Sequence, residues 1–391
     1  MANQKFSWTP VVCLSLTQII SWGTLYYSFS VLLLPVTKSE GWPGGQIVGA
    51  FSLALLISAL GALPTGVWLE KTPGRVVMTS GSVIAALAFV TLSRAHSIAW
   101  FYAGWMIVGV ALALNLYEAA FAVLSTLYDD QYRRAVMVVT LCGGLASTVF
   151  WPLTESLVRH YDWRTTVLIY AAIHLLVCAP LHAFGLPVPQ RLPRGKAVLR
   201  VPIRSLVKTR PFVFMSLSFM LNGIVASVVY VHIVSFMVAR GMTIREAAWL
   251  AAIAGPMQVL GRVLEFTLGK RWQASDTGVL TLGLSALSVG LLLVAGSPLW
   301  LVAGIALFGA TNGVITIVRT LIVVQVFGRE RYSTVAGALL TPSLFARAAG
   351  PFAASALLSA TGTYTSVLLA VLGVAIAAAA CFYAGTRQQF R

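Results

Sequence analysis

Twelve times along its 391 residues this chain runs for about 20 positions with scarcely a charge, the length an α-helix needs to cross a hydrocarbon core. The runs fall at 10–34, 46–69, 76–94, 98–123, 135–157, 165–184, 211–236, 246–268, 277–295, 299–324, 334–358 and 364–385. Lipid offers the backbone no hydrogen-bond partner, so only helices and closed barrels span it, and runs of this kind are helices. The fold class that follows is an all-α membrane protein with twelve transmembrane helices. Charged residues make up 10% of the chain, against about a quarter in a soluble domain. The first run is longer than the core of a signal peptide and lacks a small-residue cleavage site after it, so it is expected to be retained.

An even number of spans puts both termini on one side. With the amino terminus in the cytoplasm, the outer loops hold only Lys38, Arg94, Arg159, Arg164, Arg240 and Arg245, while eighteen of the 27 lysines and arginines fall inside. The positive-inside rule therefore predicts a multi-pass protein of the plasma (inner) membrane with cytoplasmic termini. Topology thus accounts for the net charge of +16, and no nucleic-acid partner is expected. Residues 185–210 carry seven basic and no acidic residues, and Pro187, Pro189, Pro193 and Pro202 block a regular helix. That segment reads as a cytoplasmic linker between a six-helix half at 1–184 and another at 211–391. An offset of 200 pairs Gly61 with Gly261, Trp100 with Trp300, Gly104 with Gly304, Gly109 with Gly309 and Tyr132 with Tyr332, and superposes the span boundaries. Two pseudo-symmetric, parallel repeats are expected.

Between the second and third spans stands Gly66-Val67-Trp68-Leu69-Glu70-Lys71-Thr72-Pro73-Gly74-Arg75. It resembles the signature loop of the major facilitator superfamily: glycine, three residues, acid, base, two residues, glycine, arginine. The glycine would allow close helix approach, and the basic residues would anchor at the cytoplasmic face. The resemblance implies the twelve-helix fold of that superfamily and secondary active transport by alternating access. Within it, Phe29-Ser30-Val31-Leu32 followed by Glu40-Gly41-Trp42, with an arginine in span eight, is similar to the monocarboxylate and oxalate/formate porter branch. Two positions depart from it. The aspartate that proton-coupled members place four residues before that arginine is Gln258, and their first-span lysine has no equivalent. The span-four arginine of many superfamily members is Trp105.

The remaining three basic residues, Arg262, Arg319 and Arg347, lie inside spans, where an arginine costs roughly 2.5 to 3.5 kcal/mol at the centre and usually marks a substrate or ion path. Arg347, near mid-span, is the first candidate to bind an anion, since guanidinium grips carboxylate in a bidentate, planar way. The bland alternative is an arginine bonded to carbonyls freed by Pro342 or Pro351. Arg262 is the second candidate, with snorkelling as its alternative. Arg319 and Glu118 fall within one position of each other under the offset, which suggests a gate of paired charges; local pairing of Glu118 with Arg133 or Arg134 is the alternative. Glu118 is also the carboxylate best placed inside a span to carry a proton. His174 and His232 could titrate, but a lone intramembrane histidine more often bonds helix to helix. Under the superfamily arrangement the cavity would be lined by Gln18, Trp22, Tyr26, Tyr27, Asn115, Tyr117, Asn222, Tyr230, Thr311 and Asn312, each with a packing role as its alternative.

The expected substrate is a small organic anion such as a monocarboxylate, with the proton as a possible coupling ion. The alternatives are an exporter of hydrophobic drugs or metabolites and, further off, a membrane sensor. Cys13, Cys142, Cys178 and Cys381 sit in apolar spans without metal-ligand spacing, and no phosphate-cradling loop or nucleophile motif occurs. No metal, cofactor or enzymatic activity is expected, and the oligomeric state stays open, a monomer included.

Overall fold

In a computed structural model, residues 6–128, 131–188, 207–269, 272–294, 296–328 and 332–387 are described. Most of the basic linker, together with Lys5, Lys270, Arg271, Arg329, Arg331 and Arg391, lies outside the described residues. The described chain is helical throughout: α1 Trp8–Glu40, α2 Gly44–Lys71, α3 Gly74–Ser93, α4 Ile98–Leu127, α5 Tyr132–His160, α6 Trp163–Gly185, α7 Arg210–Ala239, α8 Ile244–Thr267, α9 Ala274–Val294, α10 Pro298–Phe327, α11 Tyr332–Thr361 and α12 Tyr364–Thr386. Eleven are long and apolar enough to cross a membrane. The twelfth, α11, is diluted by Arg347 and several Ser and Thr, yet its 30 residues span about 45 Å at the helical rise. The helices overrun the apolar runs at several ends, as in α1 and α5, because helical geometry continues where hydropathy stops. The chain clusters into two compact units, Met1–Lys196 and Ala197–Arg391.

Within each unit the same packing recurs 200 residues apart. A Cβ on Gly104 would meet the Leu92 side chain, and one on Gly304 would meet Leu292. Gly109 lies against the Ala54 carbonyl, and Gly309 against the Ala254 carbonyl. In both units these glycines let α4 close on α2 and α3, and α10 on α8 and α9, at near-backbone distance, the small-residue packing that lipid-embedded helices use.

Continuity of the helices differs between the units. In the first, α1 passes through a π-helical turn at Gly23–Tyr27, where Ser28 N–H reaches the Gly23 carbonyl. Gly23 is pressed on the Phe150 ring, and Trp151 Nε1 donates to the Tyr27 carbonyl at 2.9 Å, so tertiary partners hold the turn open. Helix α4 breaks at Leu116, which is extended, and restarts at Tyr117. There Gln18 Nε2 donates to the Asn115 carbonyl at 2.6 Å. Helix α6 holds a second π turn at His174–Cys178, and α5 is interrupted between Gly143 and Ala146. In the second unit α7, α10 and α12 run unbroken, and α8 alone is interrupted, between Ala251 and Ala254. Broken and π-bulged helices commonly lie at functional sites.

The signature loop joins α2 to α3. Gly74 packs on Val123 of α4, giving the close approach expected of this loop. Gly66 does not, because a side chain there would meet open space. Glu70, Lys71 and Arg75 are exposed.

Candidate substrate-binding site

The π turn of α1 carries Tyr26 and Tyr27, both buried, and half-buried Trp22 stands immediately before it. The Trp22 ring lies 5.4 Å from Tyr26, 6.1 Å from Tyr27 and 5.1 Å from Tyr117, which in turn stacks on Phe121 at 5.2 Å. Phe29, Phe51 and Trp105 extend this cluster, with Trp105 edge-on to both rings at 5.2 Å. Trp105, in place of the arginine many superfamily members carry, is therefore part of an aromatic wall. Trp22, Tyr117 and Phe121 are its half-buried members. A side chain at Gly143 would strike the Tyr117 hydroxyl, so the glycine that ends the first segment of α5 makes room for that ring.

Two residues expected to line a cavity instead lock helices. Asn115 is fully buried, donates from Nδ2 to the Ala111 carbonyl at 3.1 Å and takes Ser82 Oγ on Oδ1 at 3.4 Å. Gln18, also fully buried, spends its amide nitrogen on Asn115. Buried amides seek partners wherever they lie, and here neighbouring helices supply them. His174 and His232 bond between helices as well: His174 Nε2 to Thr24 Oγ1 at 2.8 Å, and His232 Nε2 to the Pro351 carbonyl at 3.1 Å. Glu118 is exposed, in the first turn of the second segment of α4, where the helix N-terminus favours its charge.

In the second unit, Gln258 Nε2 donates to the Tyr230 hydroxyl, and the Tyr230 ring lies edge-on to Phe308 at 5.1 Å. Asn312 Nδ2 and Thr311 Oγ1 both bond the Phe308 carbonyl at 3.0 Å. Helices α7, α8 and α10 thus meet around one polar cluster. Arg262 follows Gln258 by one helical turn and is 5% exposed, so it does not snorkel in this structure. The guanidinium of Arg319 lies over the Phe219 ring at 5.7 Å.

Arg347 sits 15 residues from the start and 14 from the end of α11, against Gly223 of α7, which follows half-buried Asn222 in the chain. Its Cγ would be 3.0 Å from a Cβ on Gly223, with Ser343 on the same surface. The side chain is half-buried, and among the described residues its guanidinium makes no hydrogen bond or ion pair. The carbonyls freed by Pro342 and Pro351 do not take it up; His232 instead takes the carbonyl of Pro351 itself. Sequence reasoning missed the bond of Gln258 to Tyr230 and that of Trp151 to Tyr27.

Comparison with known proteins agrees with this architecture. Residues 14–275 match the family model of the Major Facilitator Superfamily. Bovine monocarboxylate transporter 13 is 27% identical over 332 residues, covering 83% of this chain and 76% of that protein. Rat monocarboxylate transporter 4 is 24% identical over 308 residues, covering 75% and 65%. Among solved structures, the nucleoside transporter NupG matches with a TM-score of 0.77 at 15% identity over 97% of this chain and 99% of that one. A bacterial homologue of the human lysosomal transporter Spinster matches at 0.74 and 16% identity, with 96% of each chain covered. The chain belongs to the Major Facilitator Superfamily, and is a multi-pass membrane transporter of small molecules rather than an enzyme.

Proposed function

We propose that this transporter carries a small organic anion of the monocarboxylate type across the plasma (inner) membrane by alternating access, both termini facing the cytoplasm. The observation that carries the reading is Arg347: a permanently charged fork of donors at the middle of a spanning helix, half-buried and given no protein partner among the described residues. A planar carboxylate supplies the two acceptors such a fork is shaped for. Asn222 precedes Gly223 on α7, and the cluster of Tyr230, Gln258 and Asn312, with Arg262 one turn on, supplies further polar groups in the same unit. The relatives named monocarboxylate transporters support the same class. Uptake of labelled lactate, pyruvate, acetate and oxalate into proteoliposomes, with and without a pH gradient, tests it. Saturable uptake of at least one is expected, and failure of all of them under either condition refutes the reading.

The aromatic wall of the first unit favours a second reading, export of hydrophobic compounds. It predicts that Arg347→Ala leaves export of a hydrophobic cation such as ethidium unchanged. The anion reading predicts no ethidium export at all.

A further inference from the structure

The aromatic wall of the first unit stands where the fold common to both units asks for no rings. Under the offset of 200, Trp22, Tyr26, Phe51, Trp105, Tyr117 and Phe121 correspond to Asn222, Ala226, Ala251, Ile305, Ile317 and Leu321. None of these six counterparts is aromatic, although the glycine contacts of α4 and α10 repeat around them. Helix packing is met without the rings, so they serve something the second unit does not do in this way.

Local structure brings three of them together. Gln18 donates to the Asn115 carbonyl; Trp22 lies one turn beyond the first and Tyr117 two positions beyond the second, so this bond sets α1 against α4 in the register that holds the two rings 5.1 Å apart. The break at Leu116 restarts α4 at Tyr117, and Phe121, one turn on, stacks on Tyr117 at an interplanar angle of 13°. Gly143 leaves room for the Tyr117 hydroxyl. In the second unit Ser218, Ile315 and Ser343 stand in place of Gln18, Asn115 and Gly143, and α10 runs unbroken. Trp22, Tyr117 and Phe121 are half-buried, and behind Trp22 the ring contacts continue inward to buried Tyr26 at 5.4 Å and from it to buried Phe51 at 5.5 Å.

An interfacial belt does not account for these rings. Tryptophan and tyrosine gather at the membrane surfaces, where the polar tip is wet, whereas Trp22 lies 14 residues from the start of α1 and 18 from its end. At that depth lipid gives an indole nothing to donate to, and Trp22 Nε1 finds no acceptor among the described residues. Trp105 Nε1 is bare likewise. A buried donor without a partner is costly, and a ligand that brings the acceptor recovers that cost.

We propose that Trp22, Tyr117 and Phe121 form a subsite for a flat ring that carries an oxygen acceptor, so that the preferred substrate is an aromatic carboxylate. This rests on the anion reading above and names the substrate class within it. Rings attract one another in offset and edge-on arrangements at about 4.5 to 7 Å, the separations found within the wall, and a substrate ring extends the same array. The indole N–H of Trp22 then donates to a phenolic oxygen. A hydrophobic cation would suit the ring faces but not the bare N–H donors. The carboxylate end belongs elsewhere, because exposed Glu118 follows Tyr117 in the chain and repels it.

The test compares labelled pyruvate, phenylpyruvate and 4-hydroxyphenylpyruvate as substrates of the full chain in proteoliposomes, with protein-free vesicles as the blank. KM for phenylpyruvate should lie roughly fivefold to tenfold below that for pyruvate, and the added hydroxyl should lower it about threefold to tenfold further. Trp22→Phe keeps a ring without the N–H and should lose the second step alone, whereas Tyr117→Leu should lose most of the first. Each effect is a ratio of KM values within one preparation, so a smaller amount of active protein does not imitate it. Equal KM for pyruvate and phenylpyruvate in the parent, or both ratios unchanged in the two variants, overturns the subsite and leaves the anion reading standing. Uptake of none of the three acids refutes the anion reading, and the subsite with it.

Discussion

Truncating Arg347 to alanine separates anion recognition from folding. If a carboxylate takes two charge-assisted hydrogen bonds from the guanidinium, each contributes about 1.5 to 3 kcal/mol before desolvation, and a net loss of about 3 kcal/mol is a reasonable centre. That is roughly a hundredfold in KM, at about 1.4 kcal/mol per decade. Arg347→Lys keeps the charge but loses the planar fork and should fall between, near tenfold. The protein itself should lose little, because no protein hydrogen bond or ion pair breaks among the described residues and only the stem packing on Gly223 and Ser343 is lost. Gly223→Ala approaches the same site from the other side. Its Cβ would stand 3.0 Å from Arg347 Cγ and 3.1 Å from the Ser343 carbonyl, so the stem must shift while the charge remains. A KM raised by about three- to tenfold is expected, within the cost of modest overpacking. The assay is initial-rate uptake of the transported carboxylate into proteoliposomes at matched protein content, with thermal unfolding in detergent alongside. Parent-like KM in both Arg347→Ala and Arg347→Lys would refute the reasoning.

Three other perturbations probe separate parts of the molecule. Glu40 takes both Nη atoms of Arg164, at 2.5 and 2.8 Å, with Trp163 Nε1 at 3.1 Å, tying the end of α1 to the start of α6; Glu40→Gln should cost about 1 to 2 kcal/mol, read as a fall of several degrees in Tm. An unchanged Tm in both Glu40→Gln and Arg164→Ala would remove that tie. Gly109→Ala and Gly309→Ala each drive a Cβ into a backbone carbonyl, so both should cost about 1 to 3 kcal/mol and reduce monodisperse yield alike; tolerance at one site alone would deny the equivalence of the repeats. If Glu118 and Arg319 act together in gating, Glu118→Arg combined with Arg319→Glu restores uptake that either change alone abolishes; a double variant as inactive as the singles rejects it.

Helix number and the register of the repeat could be read from the chain because lipid imposes them: an apolar run must be about 20 residues long whatever surrounds it. The breaks in α1, α4, α5 and α6 could not, since they depend on remote partners such as Phe150 behind Gly23 and Trp151 on the Tyr27 carbonyl. Gln18 and Asn115 show the same limit for single residues. An amide in an apolar run has one composition whether it faces a cavity or another helix, and only the reach of Gln18 to Asn115 decides which. Gly66 met the family pattern in sequence, but nothing in the surrounding packing needs its lack of a side chain.

The repeat also ranks the three arginines. Under the offset of 200, Arg262, Arg319 and Arg347 correspond to Ala62, Ala119 and Ser147, so the shared helix packing is built without charge at those places. Each arginine therefore carries its insertion cost, roughly 2.5 to 3.5 kcal/mol at mid-helix, for a reason outside the fold common to both units. Arg319 recovers part of that from the Phe219 face, about 0.5 to 2 kcal/mol for a contact of this kind. Arg262 is buried beside Gln258, whose amide already serves Tyr230, and so belongs to a polar cluster with its own structural use. Arg347 has neither an aromatic face nor a hydrogen-bonded partner among the described residues, and lies deepest in its helix. If the substrate is an anion, the least compensated charge is the one whose cost its binding would offset, so Arg347 is the arginine to substitute before either of the others.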